Sequence, residues 1–384
     1  MLAVPMVRRR RLQNMQRERA WEMPQQGVRR RLGRRRDPHK RPRRTTSRHP
    51  LPGLQGRERH PLHRLPRNTG ADLQRVPRSR NEMKEHLPND IPRLPGLVLE
   101  EKIGEGGMAC VWKARDAATE NLLAVKILKQ DPADNPEDRA HFVEEARAMS
   151  ELNHPGIVRC YGLNQHGSLW YYLMEYVDGY SFASLLNRKC HLPESDCLLI
   201  CESVAIALDY AWRDFGVVHC DIKPENIMIN SEGVVKLTDL GLCHTFHLRN
   251  GEEIPVSDQV LGTPAYISPE QIFGDVEIDC RADIYSLAAS LYHLSCGRML
   301  FPKLSSEDML RAHCDNARQA QDPRRYGIPL SLGFCQLLEA MLVKERSERL
   351  SNWRDVYDMC IDVEHQVLFK PRASTSPSSL KLEL

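Results

Sequence analysis

Eight consecutive residues, His219-Cys220-Asp221-Ile222-Lys223-Pro224-Glu225-Asn226, set an imidazole, two carboxylates, an ammonium and an amide between the apolar pair Val217-Val218 and the apolar run Ile227-Met228-Ile229. So many polar groups beside strand-like segments are costly to bury unless they do chemistry. Thirteen residues after Asn226 stands Asp239, within Lys236-Leu237-Thr238-Asp239-Leu240-Gly241, where a second short apolar strand ends in an acid and a glycine. Two strands joined through Ser231-Glu232-Gly233 form a hairpin that brings Asp221, Asn226 and Asp239 to one end. Oxygen ligands gathered around one point suit a hard cation such as magnesium. Either of these acids alone reads equally well as a turn former or a helix cap; Asp221, Asn226 and Asp239 together point to a site.

Such a site needs elements that bring other groups to it. Leu97 to Ile103 alternates as a strand and runs into Gly104-Glu105-Gly106-Gly107-Met108-Ala109-Cys110-Val111-Trp112. Glycines let a backbone approach phosphates and turn amide donors toward them. Dinucleotide and P-loop sites need a helix next, whereas Cys110 to Ala114 reads as strand, Asp116 to Asn121 as turn and Leu122 to Leu128 as strand again, giving a glycine-capped hairpin. Alternation places Ala124, Lys126 and Leu128 on one face, so Lys126 points under the glycine loop; the competing reading is an edge lysine snorkelling to water. Asp134-Asn135-Pro136-Glu137-Asp138 then supplies a cap, a first-turn proline and acids for a helix start. Phe142, Ala146, Met149 and Leu152 form its apolar stripe, with Glu145 inside it and Glu144 turned about 100° away. A carboxylate on a buried stripe needs a counter-charge, and a Lys126–Glu145 ion pair is expected. Leu169 to Leu173 reads as strand, and Pro193 to Phe215 as a long helix closing at Gly216.

The 384 residues carry a net charge of +3 that hides a division. Residues 1 to 95 hold 26 Lys and Arg against 8 Asp and Glu, and the remainder holds 28 against 43. The first segment, with Arg29-Arg30-Arg31 and Arg34-Arg35-Arg36, has no apolar periodicity and is not expected to fold alone. An arm for nucleic acid or anionic membrane, a docking tail for an acidic partner, a targeting peptide and a solvated tail compete as readings, and no apolar stretch of signal-peptide length near Met1 favours targeting. A start at Met83 is a further alternative. All 12 cysteines follow residue 95 with no CxxC pair, so zinc-ribbon spacing is absent and reduced thiols in a cytoplasmic protein are expected. No apolar run of about 18 residues occurs, so no membrane span is expected.

HCDIKPEN followed by TDLGL resembles the catalytic and metal-binding loops of eukaryotic-type protein kinases, usually HRDxKxxN and DFG. Cys220 stands where Arg is usual, Leu240 where Phe is usual, and Ala109 at the third glycine of the loop. The resemblance, over about residues 96 to 366, implies an α+β bilobal kinase fold: a small antiparallel-sheet N-lobe plus one helix over 96–175, and a mainly helical C-lobe over 176–366. The basic segment 1–95 would precede it and a flexible Ser/Pro-rich tail, 367–384, would follow. It implies an ATP-dependent protein serine/threonine kinase, closest in style to bacterial members, using ATP and Mg2+ on Ser/Thr hydroxyls of protein substrates.

By the same resemblance Asp221 orients the acceptor hydroxyl and takes its proton, Lys223 steadies the transferred phosphate, Thr263 sits beside the base, and Asn226 and Asp239 hold magnesium. Ile103, Gly104, Glu105, Gly106, Gly107, Met108, Ala109, Cys110 and Val111 form the nucleotide lid, and Ala124, Lys126 and Glu145 line the cleft. Met174 is the gatekeeper, with Glu175 and Val177 in the hinge. Lys223 and Thr263 are the serine/threonine arrangement. Glu270 is expected to pair with Arg349, and Asp283 to hold the catalytic-loop backbone. Cys220 cannot meet an activation-loop phosphate as Arg does, so activity is expected to depend less on phosphorylation there, although Thr245, Ser257 and Thr263 are available. For Cys220 itself a packed neutral thiol competes with a redox role. Two functional rivals stand beside the kinase: a nucleotide-binding pseudokinase scaffold, and a nucleic-acid-binding protein acting through its basic arm.

Overall fold

Alternating apolar residues build five strands, β1 (Leu97–Glu105), β2 (Ala109–Asp116), β3 (Leu122–Leu128), β4 (Cys160–His166) and β5 (Leu169–Glu175), in an antiparallel sheet of order β1-β2-β3-β5-β4. The computed structural model describes residues 91–129, 136–240, 263–274 and 278–368. The cap Asp134-Asn135, Gly241, Thr245, Ser257 and Gly262, and nearly all of both terminal segments, lie outside the described residues. Ala114, Val125, Ile127 and Tyr171 cluster with Leu94 on one face of the sheet. The opposite face carries Ala109, Ala124, Leu128, Tyr172 and Met174 into the main core. The β2–β3 turn is tied by Asp116, whose Oδ1 accepts from the amides of Ala118 and Thr119 at 3.0 and 2.8 Å.

Helix α1 (Pro136–Glu151) covers that second face. Phe142, Ala146, Met149 and, just past the helix, Leu152 are all buried, each contributing on the order of 1–3 kcal/mol by leaving water. Beyond α1, Val158 N–H donates to Leu237 O and Leu237 N–H to Gly156 O, both at 2.8 Å, which ties this segment to the strand that leads into Asp239.

The second part of the chain is mainly helical: α2 (Phe182–Lys189), α3 (Glu194–Phe215), α4 (Pro269–Phe273), α5 (Cys280–Cys296), α6 (Ser306–Cys314), α7 (Leu332–Met341) and α8 (Trp353–Leu368). Every residue of α5 except Arg281 and His293 is buried, the signature of a central helix packed on all sides. α3 ends where the sequence requires, at Gly216, whose φ of 67° only glycine adopts without strain.

A small antiparallel sheet, β6 (Gly179–Ser181), β7 (Ile227–Asn230) and β8 (Val235–Leu237), sits at the start of this part. The β7–β8 hairpin is the one read from the apolar runs, but β6 adds a third strand. Gly179 makes that possible, since a Cβ there would lie 1.9 Å from Ile229 O. Val217-Val218, read as strand-like, are buried yet form no strand. Their apolar side chains drew them into the core, which hydrophobicity requires without requiring a strand. The whole is α+β, with an antiparallel sheet and one helix in the first part and helices in the second, joined by a continuous core.

Candidate active site

On β3 the alternation puts Lys126 on the core-facing side between buried Ala124 and Leu128. Lys126 Nζ lies 2.6 Å from Glu145 Oε1 and 2.9 Å from Asp239 Oδ1. Glu145 is 6% exposed on the α1 stripe, whereas the Glu144 side chain is 48% exposed, which separates the two adjacent acids as the helical period requires. Burial opposes the lysine's charge, but Asp239 and Glu145 hold its pKa well above the usual range. For Glu145 burial prevails and pushes the carboxyl upward despite Lys126. Asp239, also penalised by burial, is held below the usual carboxylate range by Lys126.

The loop between α3 and β7 is held by its backbone. Asp283, on α5, accepts from His219 N–H at 2.6 Å and Cys220 N–H at 2.8 Å. Burial pushes the Asp283 carboxyl up to about 7 although both bonds favour the ionised form. Cys220 adopts φ 64°, uncommon for a residue with a Cβ, and its carbonyl accepts from Gln271 Nε2 at 2.8 Å. His219 is fully buried, and burial lowers its pKa. Its Nδ1 accepts from Asp221 N–H at 3.3 Å while Nε2 faces Thr238 O at 3.3 Å, which assigns a neutral ring protonated on Nε2. This ring thus joins the loop of Asp221 to the residue before Asp239.

Four side chains close on one another at the mouth of this loop. Lys223 Nζ donates to Asp221 Oδ2 at 2.6 Å and to Thr263 Oγ1 at 2.9 Å. Thr263 Oγ1 in turn donates to Asp221 Oδ1 at 2.9 Å. Asn226 Nδ2 donates to the Asp221 carbonyl at 2.9 Å and to Oδ2 at 3.1 Å. The amide nitrogen is therefore spent, and the amide oxygen is what Asn226 offers a cation. Asn226 O accepts from Thr238 N–H at 3.0 Å, setting Asn226 one residue from Asp239 across the hairpin. An amide oxygen and a carboxylate with φ 51° at the neighbouring loop are hard donors that fit magnesium, completed by water and phosphate oxygens. Among the described residues no group of three or more His, Cys, Asp or Glu gathers as a metal cluster.

Around the cleft, Ala124, Met174 and Val177 are buried in the main core, and Met108 and Val111 pack against it. Ile103 is exposed. The glycine turn is closed by Gly106 N–H on Ala109 O at 2.9 Å, with Gly104 at the β1–β2 pairing and Gly107 in the open turn. Three of the residues expected in the lid and hinge direct their side chains elsewhere. Cys110 lies on the opposite face of the sheet, accepting from Trp112 Nε1 at 3.3 Å, and Glu105 pairs with Lys102 and Lys129. The Glu175 carboxylate is 2.8 Å from Lys236 on β8, so its side chain braces the hinge against the second sheet.

Several groups at the site are not singled out by sequence reasoning. Tyr172 donates to Glu145 Oε1 at 3.0 Å. Lys236, Gln271 and Met228, the last packed against the main core, also belong to the neighbourhood. Alternation along β5 puts Tyr172 and Met174 on one face, but only the strand register sets Tyr172 opposite Lys126. At a distance from the cleft, Arg349 holds Glu270 through two bonds of 2.6 and 3.0 Å, both side chains buried.

A family model described as a protein kinase domain matches residues 97–361. A probable serine/threonine-protein kinase of Clostridium acetobutylicum is 30% identical over 267 residues, covering 70% of this chain and 40% of that protein. Serine/threonine-protein kinase PrkC of Bacillus subtilis is 35% identical over 58% of this chain and 33% of its own. Serine/threonine-protein kinase PknB of Mycobacterium tuberculosis is 35% identical over 53% of this chain and 33% of its own. The chain spans less than half the length of each of these relatives.

Proposed function

The chain belongs to the protein kinase family, and from that premise we propose that it is an ATP-dependent kinase of serine and threonine residues in proteins. The observation that carries the reading is the convergence of Lys126, Glu145 and Asp239 with the closed set Asp221, Lys223, Thr263 and Asn226. Phosphoryl transfer asks a protein for positioning and charge neutralisation more than for covalent chemistry.

In this reading Ala124, Val111, Ile103 and Met174 surround the adenine, main-chain groups of Glu175 and Val177 meet its edge, and the Gly104–Cys110 turn covers the phosphates. Lys126, kept charged by its carboxylates, holds the phosphates. Asn226 and Asp239 hold magnesium, which when bound neutralises charge developing on the phosphate oxygens. Asp221 orients the acceptor hydroxyl and takes its proton, and Lys223 stabilises the transferring group. Thr263 fixes the Asp221 carboxylate through a second bond, which supports a Ser/Thr preference together with Lys223.

We assign the catalytic unit to 96–366, the basic segment to 1–95 and the tail to 367–384. Protein substrates and a cytoplasmic location are part of the proposal; no helix among the described residues is long and apolar enough to cross a membrane. The charge of residues 1–95 suits an anionic partner, which salt-dependent binding lost on deleting that segment would reveal. Incubation of the full chain with radiolabelled ATP, magnesium and a generic acceptor protein tests the activity. Label should appear on Ser or Thr, and Asp221→Asn should be slower by about 10²–10⁴-fold. No magnesium-dependent transfer, or equal rates in the variant, refutes the assignment.

A further inference from the structure

Glu145 Oε1 has two donors, and only one of them is the lysine. Lys126 Nζ reaches it at 2.6 Å and the Tyr172 hydroxyl at 3.0 Å. The two donors stand directly opposite each other in the β3–β5 register, so their side chains rise from the same face of the sheet, with the Lys126 Nζ 5.7 Å from the Tyr172 ring centroid. Tyr172 is fully buried, and its ring packs 5.1 Å from Phe142 of α1. Its hydroxyl is fixed by that packing, whereas Lys126 is shared with Asp239.

We propose that Tyr172 is a positioning residue that tethers Glu145, and with it helix α1, to the sheet independently of Lys126. The inference rests on the kinase reading for its consequence: when the lysine is shared with phosphates as well as Glu145, the carboxylate has a second partner on β5 and α1 stays docked. The helix is then held in the productive position by the fold itself. That agrees with a catalytic loop whose geometry is set by Asp283 and Gln271 while Cys220 replaces an arginine.

Tyr172→Phe in the full chain tests this, because it removes one oxygen and keeps the ring against Phe142. A bond from a neutral hydroxyl to a buried carboxylate predicts a loss of about tenfold in kcat, equivalent to about 1.4 kcal/mol, with KM for ATP changed less than twofold. A merely structural contact would lower the melting temperature without moving this ratio. Amide exchange over residues 136–151 supplies a readout that does not need turnover. In the Lys126→Met background, where Tyr172 is the remaining tether, adding Tyr172→Phe should speed exchange of α1 about tenfold. Equal exchange in the single and double variants overturns the tether. Absence of turnover in the wild type removes the kinase reading while the exchange experiment still decides the contact.

Discussion

Replacing Glu145 by glutamine keeps shape and acceptor but removes the charge, and the structure sets the expected consequences. Glutamine can still accept from Lys126 and Tyr172, so the lost stability is the charged part of two hydrogen bonds, about 1–2 kcal/mol. For a folded unit of this size that is roughly 3–6 °C of melting temperature. The catalytic loss should be larger. With Glu145 neutral, the Lys126 ammonium is balanced by Asp239 alone, 2.9 Å away, and moves toward it. A shift of about 1 Å in a phosphate-holding group costs about 10²-fold in rate, near 2.7 kcal/mol of barrier. Because Asp239 is then engaged by the lysine, half-maximal rate should also need more magnesium. Initial rates at saturating ATP with magnesium varied, beside a thermal melt, measure all three. A folded Glu145→Gln protein with kcat within threefold of wild type would refute the claim that this pair orients the lysine.

Arg349→Met tests a contact of the opposite kind. It leaves the buried Glu270 carboxylate without its two bonds, so stability should fall by about 3–5 kcal/mol while kcat per folded molecule stays within about twofold, seen by melting and active-site-normalised rates. The buried ring of His313 supplies a pH prediction. Its Nδ1 shares a 2.8 Å bond with Tyr285, Nε2 has no partner among the described residues, and burial with the Lys344 ammonium lowers its pKa to about 4. A depressed folded pKa gives stability that is complete above the unfolded value near 6.5 and is lost as pH falls toward 4. His313→Gln should therefore lose about 2 kcal/mol less than wild type between pH 7 and pH 5 in denaturant titrations; an identical pH dependence would show that the ring titrates normally.

The glycine-capped hairpin and the order of the polar clusters were legible in the chain, because each is a local property, whereas the α+β class followed from the kinase resemblance that those clusters carry. Helical period alone separates Glu145 from Glu144, and alternation alone places Lys126 beside Ala124 and Leu128. Local patterns also misled at Val217-Val218, where hydrophobicity reported burial and not strand pairing. Three distant contacts were expected from the chain, Lys126 with Glu145 from the helical stripe, and Glu270 with Arg349 and Asp283 with the catalytic-loop backbone from the kinase resemblance; others were decided by tertiary structure alone. Strand register set Tyr172 opposite Lys126, and a parallel bridge between Ile157 and Leu237 aligned the two parts of the chain. The Glu175 carboxylate went to Lys236, 61 residues away. Periodicity tells a side chain which face to occupy. The partner it finds there depends on register and packing, which no short window of sequence contains.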